Sequence, residues 1–190
     1  MNAPAIRCLD FLLAILGLVV ALPILLFVFI LGLLDTGSPM FLQQRVGRNK
    51  RSFVLIKFRT MAISTASMAT HQVDSSAVTS LGAVLRKTKF DELPQLINVL
   101  KGEMSIVGPR PCLHTQEELI DARDNRGVFS VLPGITGLAQ VNEIDMSTPE
   151  LLAEWDQRMI AEFSMAAYSR YIMLTVMGRG AGDRVKPKDD

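Results

Sequence analysis

A chain of 190 residues suggests one compact domain with an attachment, and its net charge of +1 provides no overall field that would draw it to nucleic acid. Hydrophobic residues make up 49% of the sequence, and their excess lies in one N-terminal run. Cys8 and Cys112 do not make a disulfide framework, so we expect both to be reduced thiols, as in a cytoplasmic compartment.

The run from Phe11 to Leu34 contains no charged or polar side chain. It is longer than the hydrophobic region of a secretory signal and precedes a poor cleavage site, which argues against a signal peptide. Its length suits a helix that spans a membrane. Pro23 stands at the middle of the run and would kink the helix axis. From the residues alone, spanning is the default, and a re-entrant helix that returns to the same face is the alternative.

A basic cluster follows this run, and no acidic residue occurs between Asp35 and Asp74. The positive-inside rule predicts that the cluster stays in the cytoplasm, where it would attract anionic lipid headgroups. A solvated basic hairpin is the alternative interpretation. The cluster comprises Arg45, Arg48, Lys50, Arg51, Lys57 and Arg59.

The remaining sequence predicts a small, mainly helical α+β domain. Short runs at 40–42 and 52–58 predict a β-hairpin. Helices are predicted over 79–87 with Leu81, Val84 and Leu85 inward, over 94–100, over 115–125, after a cap at Ser147, and over 166–177, the last in the core or on the membrane surface. Residues 63–76 and 132–137 are predicted as loops. The predicted organisation is an anchor at 1–36, a cytoplasmic catalytic domain at 37–178 and a loose tail at 179–190.

The densest candidate site is the pair Asp91 and Glu92, which stands just before Pro94. Because proline suits the first turn of a helix, Asp91 or a close neighbour is the expected helix cap. Backbone donors and the positive helix end would favour phosphate there and keep an aspartate ionised. An ionised aspartate can attack phosphorus. The alternative is that these acids only cap the helix; the similar pair at 117–118 is interpreted as solvated surface.

Several cations could bind phosphate near these acids. Arg110 lies between two prolines, so a stiff backbone could aim its guanidinium, although an exposed arginine on a rigid turn is the alternative. Lys57 and Arg59 would share one face of a strand. Arg86 lies just upstream of the acids, and the glycines of the loop at 133–137 allow close approach of a ligand.

Six motifs follow one another in a fixed order along the chain. They are Gln43-Gln44-Arg45-Val46-Gly47, Lys57-Phe58-Arg59-Thr60-Met61, Asp91-Glu92-Leu93-Pro94-Gln95-Leu96, Asn98-Val99-Leu100-Lys101-Gly102-Glu103-Met104-Ser105, Val107-Gly108-Pro109-Arg110-Pro111 and Pro133-Gly134-Ile135-Thr136-Gly137-Leu138-Ala139-Gln140-Val141-Asn142. Together these motifs resemble those of the small monotopic phosphoglycosyl transferases, bacterial sugar transferases that initiate glycoconjugate assembly. The resemblance covers the chain from the membrane segment to about Asn142.

The resemblance implies a ping-pong reaction. The aspartate matching Asp91 would attack the β-phosphate of a UDP-sugar, release UMP, and hold the sugar phosphate until undecaprenyl phosphate accepts it. It also implies a Mg²⁺ ion held by Asp91, a less defined assisting role for Glu92, and phosphate or nucleotide contacts. The residues expected to make those contacts are Lys57, Arg59, Arg86, Arg110, Thr136 and Gln140.

For the membrane segment, the resemblance implies a re-entrant helix broken at Pro23, which shifts the preference away from spanning. The catalytic domain would lie on the cytoplasmic face of the bacterial inner membrane, in contact with the lipid bilayer. A homodimer is compatible with the sequence, and no motif indicates nucleic-acid binding. The sequence departs from the family pattern at Leu138 and after Asn142, so the sugar stays open. A Mg²⁺-dependent lipid-diphosphate phosphohydrolase and a non-catalytic membrane scaffold are the alternative functions.

Overall fold

The computed structural model describes residue 1, residues 4–65 and residues 77–180. In this part of the chain, one long helix lies against a small domain with two pairs of short strands, which confirms the predicted mainly helical α+β class. The helices are α1 (Pro4–Asp35), α2 (Ser80–Thr88), α3 (Gln95–Leu100), α4 (Glu117–Asn125), α5 (Leu138–Val141), α6 (Pro149–Ala161) and α7 (Met165–Val176). The strands are β1 (Met40–Val46), β2 (Ser52–Phe58), β3 (Ser105–Val107) and β4 (Gly134–Thr136).

Helix α1 continues through Pro23 as one element of 32 residues, which makes it about 48 Å long. Among the described residues it is the helix that is long and apolar enough to cross a membrane. Most of its outer surface consists of exposed Leu, Val, Ile and Phe side chains. Contact of such a surface with water is unfavourable, whereas the hydrocarbon of a bilayer would shield it. The positions that face the domain are Ile6, Asp10, Ala14, Ala21, Val28 and Gly32.

Helix α1 packs on the domain along most of its length. Near its start, Ile6 lies in an apolar cluster that includes residues of α7. Gly17 allows close approach to α3, because a Cβ there would lie 3.0 Å from Leu96 Cδ1. Near its end, Val28 clusters with Leu85 of α2. Both ends of the helix therefore contact the same domain.

A buried carboxylate joins α1 to the domain. Asp10 has 0% exposure and accepts a charge-assisted bond from Arg7, one turn earlier, at 3.1 Å. It also accepts bonds from Ser105 Oγ at 2.8 Å and from the Ile106 backbone N–H at 2.9 Å, both in β3. The Tyr168 hydroxyl of α7 donates to it at 2.8 Å. The pKa of Tyr168 is raised mainly by burial and secondly by this hydrogen bond to Asp10, so the phenol stays protonated and remains a donor.

The predicted hairpin is confirmed. Strands β1 and β2 are antiparallel, with Met40 opposite Phe58. Its basic residues divide into two groups, because the tip at 48–51 is exposed whereas Arg45 is buried. Arg45 donates to the carbonyl of Pro111 at 3.1 Å. The interpretation of Arg45 as a lipid-facing cation is therefore wrong, since the strand alternation turns it into the domain.

The predicted helices near α2, α3, α4, α6 and α7 are confirmed. Two details are wrong: Val84 is 58% exposed rather than inward, and Thr148 rather than Ser147 precedes the first residue of α6. Helix α7 packs partly in the core, because Tyr168 is buried whereas Val176 is exposed; its alternative place on the membrane surface stays a prediction. Most of the predicted loop at 63–76 and of the predicted tail lies outside the described residues.

The loop predicted at 132–137 contains a strand that the sequence does not indicate. Its residues 134–136 form β4, which pairs in parallel with β3. Ser105 is opposite Gly134, and Val107 is opposite Thr136. Strands of three residues are too short to display an alternating pattern, and their turn-forming glycines and proline predict a loop instead.

We expect Asp10→Ala to lower the free energy of unfolding by about 3 kcal/mol, because it leaves buried donors on β3 and α7 without their acceptor. In a chain of this size, that corresponds to a melting temperature lower by about 10 °C, measured in detergent. Asp35→Ala, at an exposed position on the same helix, is the control. Equal melting temperatures for the two variants would contradict the structural role of Asp10.

Candidate functional site

The two adjacent acids lie in a short 3-10 turn, Phe90–Glu92, between α2 and α3. Asp91 and Glu92 are both buried. The turn follows Lys89, whose left-handed conformation (φ 60°) ends α2 and redirects the chain. Pro94 precedes α3, and no side chain caps that helix. The prediction that Asp91 or a close neighbour caps the helix with its side chain is therefore wrong, because the extra turn separates the acids from its first residue and Pro94 stands at the cap position.

The Pro-Arg-Pro segment brings a cation to this turn. Arg110 Nη2 lies 2.5 Å from Glu92 Oε1, and the two side chains are 19% and 10% exposed. An ion pair this short and this shielded from water is stronger than a surface pair. Arg110, predicted from its position between two prolines, is thus placed directly beside the predicted acids.

Two glycines set the position of this segment relative to β4. The Gly134 N–H donates to the carbonyl of Pro109 at 2.9 Å, and the Gly108 N–H donates to the carbonyl of Thr136 at 2.8 Å. A Cβ added to Gly134 would lie 2.0 Å from the Gly108 nitrogen. The two backbones are therefore in direct contact, and a side chain at either position would separate them.

A small, narrow cleft lies beside the Arg110–Glu92 pair. It brings together four of the predicted site residues: Glu92, Arg110, Thr136 and Gln140. Its wall also contains residues that the sequence reasoning did not assign, namely Lys89, Ile135, Thr175, Arg179 and Gly180. Lys89 could have been found from its place two residues before Asp91, whereas the residues from α7 onward carry no local signal.

Uncommitted polar atoms lie in the wall of this cleft. Gln140 is 8% exposed, and within the described part of the chain its amide oxygen and nitrogen have no hydrogen-bond partner. Such buried amides are rare because each unpaired atom is costly. Thr136 Oγ1 lies 2.5 Å from Thr175 Oγ1, which ties β4 to α7. The wall therefore offers an amide donor, an amide acceptor and hydroxyl groups beside the Arg110 cation.

The other predicted cations lie near the end of β2, outside the set of residues that lines this cleft. Lys57 Nζ is 5.6 Å and the Arg59 guanidinium carbon 5.3 Å from the ring centre of Phe41, so both contact the same aromatic side chain. Arg59 also donates to the backbone of the turn after α1. Arg86 Nε donates to Thr60 Oγ1 at 2.9 Å, which joins α2 to this strand end.

Within residues 4–65 and 77–180, no group of three or more His, Cys, Asp or Glu side chains could hold a metal ion. A Mg²⁺ ion that is bound by one carboxylate, phosphate oxygens and water needs no such group. Glu92 is engaged by Arg110. Asp91 is the other carboxylate of this turn, and the expected Mg²⁺ site on it stays a prediction.

A second buried ion pair lies behind the Pro-Arg-Pro segment, and the sequence reasoning missed it. Arg123 of α4 and Asp156 of α6 are each 1% exposed, and Arg123 Nη2 lies 2.6 Å from Asp156 Oδ2. Burial raises the pKa of the Asp156 carboxyl, and the Arg123 guanidinium opposes that rise. No local signal predicts this pair, because its members are 33 residues apart in the chain, on two separate helices.

The fold and the site define a class: a protein in which a small α+β domain with a buried acid–arginine pair packs on a long apolar helix. More specifically, this chain belongs to the bacterial sugar transferase family, whose family model matches residues 1–179. The family resemblance predicted from the motifs is thereby confirmed.

Three relatives illustrate this membership. The chain is 39% identical over 154 residues to the uncharacterized sugar transferase EpsL of Bacillus subtilis strain 168, covering 80% of this chain and 76% of that protein. It is 37% identical over 183 residues to the UDP-glucose:undecaprenyl-phosphate glucose-1-phosphate transferase of Xanthomonas campestris pv. campestris, covering 88% and 37%. It is 37% identical over 170 residues to the UDP-N-acetylgalactosamine-undecaprenyl-phosphate N-acetylgalactosaminephosphotransferase of Aeromonas hydrophila, covering 84% and 40%. The chain therefore spans well under half the length of the latter two relatives.

We expect Gly134→Ala to lower the free energy of unfolding by about 3 kcal/mol, because the new methyl group would overlap the Gly108 backbone. Gly127→Ala is the comparison, since Gly127 has φ 67° but open space around it. There, only the left-handed backbone should cost stability, by about 1 kcal/mol. Chemical unfolding in detergent measures both values, and a smaller loss for Gly134→Ala than for Gly127→Ala would contradict the close contact.

Proposed function

We propose that this chain transfers a sugar 1-phosphate from a UDP-sugar to undecaprenyl phosphate. The observation that carries the proposal is the buried Asp91–Glu92 turn held against Arg110 at 2.5 Å, in a domain packed on an apolar helix. This arrangement supplies a nucleophile, a counter-charge for phosphate and access to a lipid substrate. The activities named for the Xanthomonas and Aeromonas relatives support the same reaction class.

In the first step, a carboxylate oxygen of Asp91 attacks the β-phosphorus of the UDP-sugar. The bond between that phosphorus and the bridging oxygen breaks, and UMP leaves with the bonding electrons. The sugar phosphate then remains on Asp91 as an acyl phosphate. Splitting the transfer in this way replaces one difficult displacement with two easier ones.

In the second step, a phosphate oxygen of undecaprenyl phosphate attacks the same phosphorus. The bond to Asp91 breaks, the carboxylate is regenerated, and a diphosphate-linked sugar is left on the lipid. Because water must not replace the lipid phosphate, a buried acid suits this step better than an exposed one. Asp91 meets that condition, since it is buried.

The surrounding residues bind and orient the substrate phosphates. Arg110 faces the acids from a restrained backbone, and phosphate oxygens would compete with Glu92 for its guanidinium. Glu92 thus holds Arg110 at the cleft until substrate binds. Asp91 would hold Mg²⁺, which when bound supplies charge neutralisation for the phosphate oxygens. Gln140 and Thr136 offer neutral hydrogen-bonding groups in the wall of the same cleft.

The packing of α1 supports a membrane helix that does not cross the bilayer. Its start contacts β3 and α7 through Asp10, and its end contacts α2 through Val28. Asp10 and Val28 are 18 residues apart, which is about 27 Å along a helix. A crossing helix would therefore carry one of these contacts, and the part of the domain that makes it, through most of a hydrocarbon core about 30 Å thick. We therefore propose a monotopic arrangement, with both helix ends on the cytoplasmic face of the inner membrane.

We expect Asp91→Asn to abolish UMP release and the covalent sugar-phosphate adduct, with a fall in kcat of at least about 1,000-fold. The amide lacks the negative charge needed for attack. The assay contains purified protein, Mg²⁺, radiolabelled UDP-sugars and polyprenyl phosphate, and it follows UMP, the adduct and lipid-linked sugar. Glu117→Gln, at an exposed position on α4, is the control.

Two results of that assay would contradict the proposal. An adduct that still forms on Asp91→Asn would exclude Asp91 as the nucleophile. Inorganic phosphate or free sugar phosphate as the main product of the unchanged protein would exclude transfer to the lipid and favour hydrolysis.

The monotopic arrangement predicts that neither end of α1 reacts from the periplasm. Cys8 is exposed near the start of the helix, whereas Cys112 is buried, so Cys8 is a native probe for that end. Gly37→Cys in a Cys8→Ser background probes the other end. A membrane-impermeant thiol reagent should label both sites only after the cells are opened. Labelling of Cys8 in intact spheroplasts would show that the helix crosses the membrane.

A further inference from the structure

The Pro-Arg-Pro segment is held by its carbonyl oxygens. Its prolines have no backbone N–H, so at these two positions the segment cannot donate a backbone hydrogen bond to the rest of the domain. The Gly134 N–H donates to the carbonyl of Pro109, and the Val46 N–H donates to the carbonyl of Cys112, each at 2.9 Å. The two carbonyls between them accept bonds from guanidinium groups rather than from the backbone.

Both of those guanidinium groups are buried. Arg45 Nη1 donates to the carbonyl of Pro111 at 3.1 Å, and Arg123 Nη1 donates to the carbonyl of Arg110 at 2.8 Å. Arg123 is itself oriented by Asp156, whose Oδ2 accepts from its Nε at 2.9 Å and its Nη2 at 2.6 Å. Because the guanidinium is planar and rigid, these two bonds direct the remaining nitrogen toward the Arg110 carbonyl.

A contribution to stability alone does not explain why a charged pair is buried between α4 and α6. Arg123 and Asp156 are each 1% exposed, and removing both charges from water is costly. Apolar residues of similar volume are often as stabilising as such a pair. The same two helices already pack through Leu119 and Leu152 in an apolar cluster. What an apolar pair could not do is hold a carbonyl oxygen in a defined direction.

We propose that Arg123, oriented by Asp156, is a positioning residue for Arg110. Arg123 holds the backbone of Arg110 from behind the segment, while the Arg110 side chain reaches Glu92 on the cleft side. A fixed backbone keeps the Arg110 guanidinium aimed at the incoming phosphate, so little freedom is lost when substrate binds. The inference rests on the proposed phosphate-binding role of Arg110.

The main test replaces the pair with apolar residues, Arg123→Met together with Asp156→Leu, so that no unpaired charge is buried. The structure provides a matched control between the same helices. Arg126, just after α4, pairs with Glu150 of α6 at 2.8 Å, and these side chains are 29% and 66% exposed. Arg126→Met together with Glu150→Leu removes that pair and leaves the Pro-Arg-Pro segment untouched.

The kinetic readout is kcat for UMP release, measured with and without Arg110→Met. We expect the Arg123/Asp156 replacement to lower kcat roughly 10- to 100-fold and the control pair to leave it within about 2-fold. In an Arg110→Met background, the Arg123/Asp156 replacement should cause no further loss, because its effect passes through Arg110. Losses that multiply would mean that the pair acts independently of Arg110 and would overturn the inference.

A second readout does not require activity. Hydrogen exchange followed by mass spectrometry reports the protection of the Gly134 and Val46 amides, which bond to the carbonyls on either side. We expect the Arg123/Asp156 replacement to speed exchange at both amides at least about 10-fold, and the control pair to leave it unchanged. Unchanged protection would overturn the inference even if the wild-type protein released no UMP and the proposed function failed.

Arg123→Lys covers the case in which the double replacement does not fold. Lysine keeps a positive charge opposite Asp156, but it lacks the planar fork that serves Asp156 and the Arg110 carbonyl together. We expect Arg123→Lys to lower kcat in the same way, with no further loss in the Arg110→Met background. We also expect the same faster exchange at the Gly134 and Val46 amides. Wild-type kcat and wild-type protection in Arg123→Lys would overturn the positioning role.

Discussion

The carboxylate of Asp10 connects the long apolar helix α1 to the candidate site. It is fully buried on α1 and accepts bonds from Ser105 and Ile106 of β3. Strand β3 leads directly into the Pro-Arg-Pro segment, and that segment places Arg110 against Glu92. An unsatisfied carboxylate in this position would be very costly, so β3 and the helix cannot separate without a large loss of stability. The position of the candidate site relative to the apolar helix depends on this contact.

The same principle recurs deeper in the domain, where buried guanidinium groups donate to backbone carbonyls of the Pro-Arg-Pro segment. Arg45 and Arg123 bond to consecutive carbonyls of one short segment. These bonds hold an irregular segment in place, while the Arg110 side chain contacts Glu92 on the cleft side. Polar groups in the interior thus define the geometry of the site, while apolar clusters around them supply most of the stability.

A part of the structure could be predicted from the sequence when the interactions that form it are between residues close together in the chain. The β-hairpin and the longer helices were predictable because their apolar spacing, caps and turns are local. The acids and Arg110 were found because their neighbours, prolines and another acid, restrict the backbone or concentrate charge. Asp91 was nevertheless misplaced as a helix cap, since a proline after the acids does not reveal the extra 3-10 turn. Arg45 was interpreted as a lipid contact, because its charge is visible in the sequence and its burial is not.

By itself, the sequence determined the apolar anchor, the class of fold, the family and the residues around which the proposed chemistry is built. Only the tertiary structure decided that Glu92 pairs with Arg110, that β3 pairs with β4, and that Arg123 bonds to the Arg110 carbonyl. The reason is that burial and pairing between residues far apart in the chain depend on how whole elements pack. The local conformational preferences of the residues do not indicate which distant residues will come into contact. Asp10 is the clearest case, because a lone acid at the edge of an apolar helix becomes the joint between that helix and the domain.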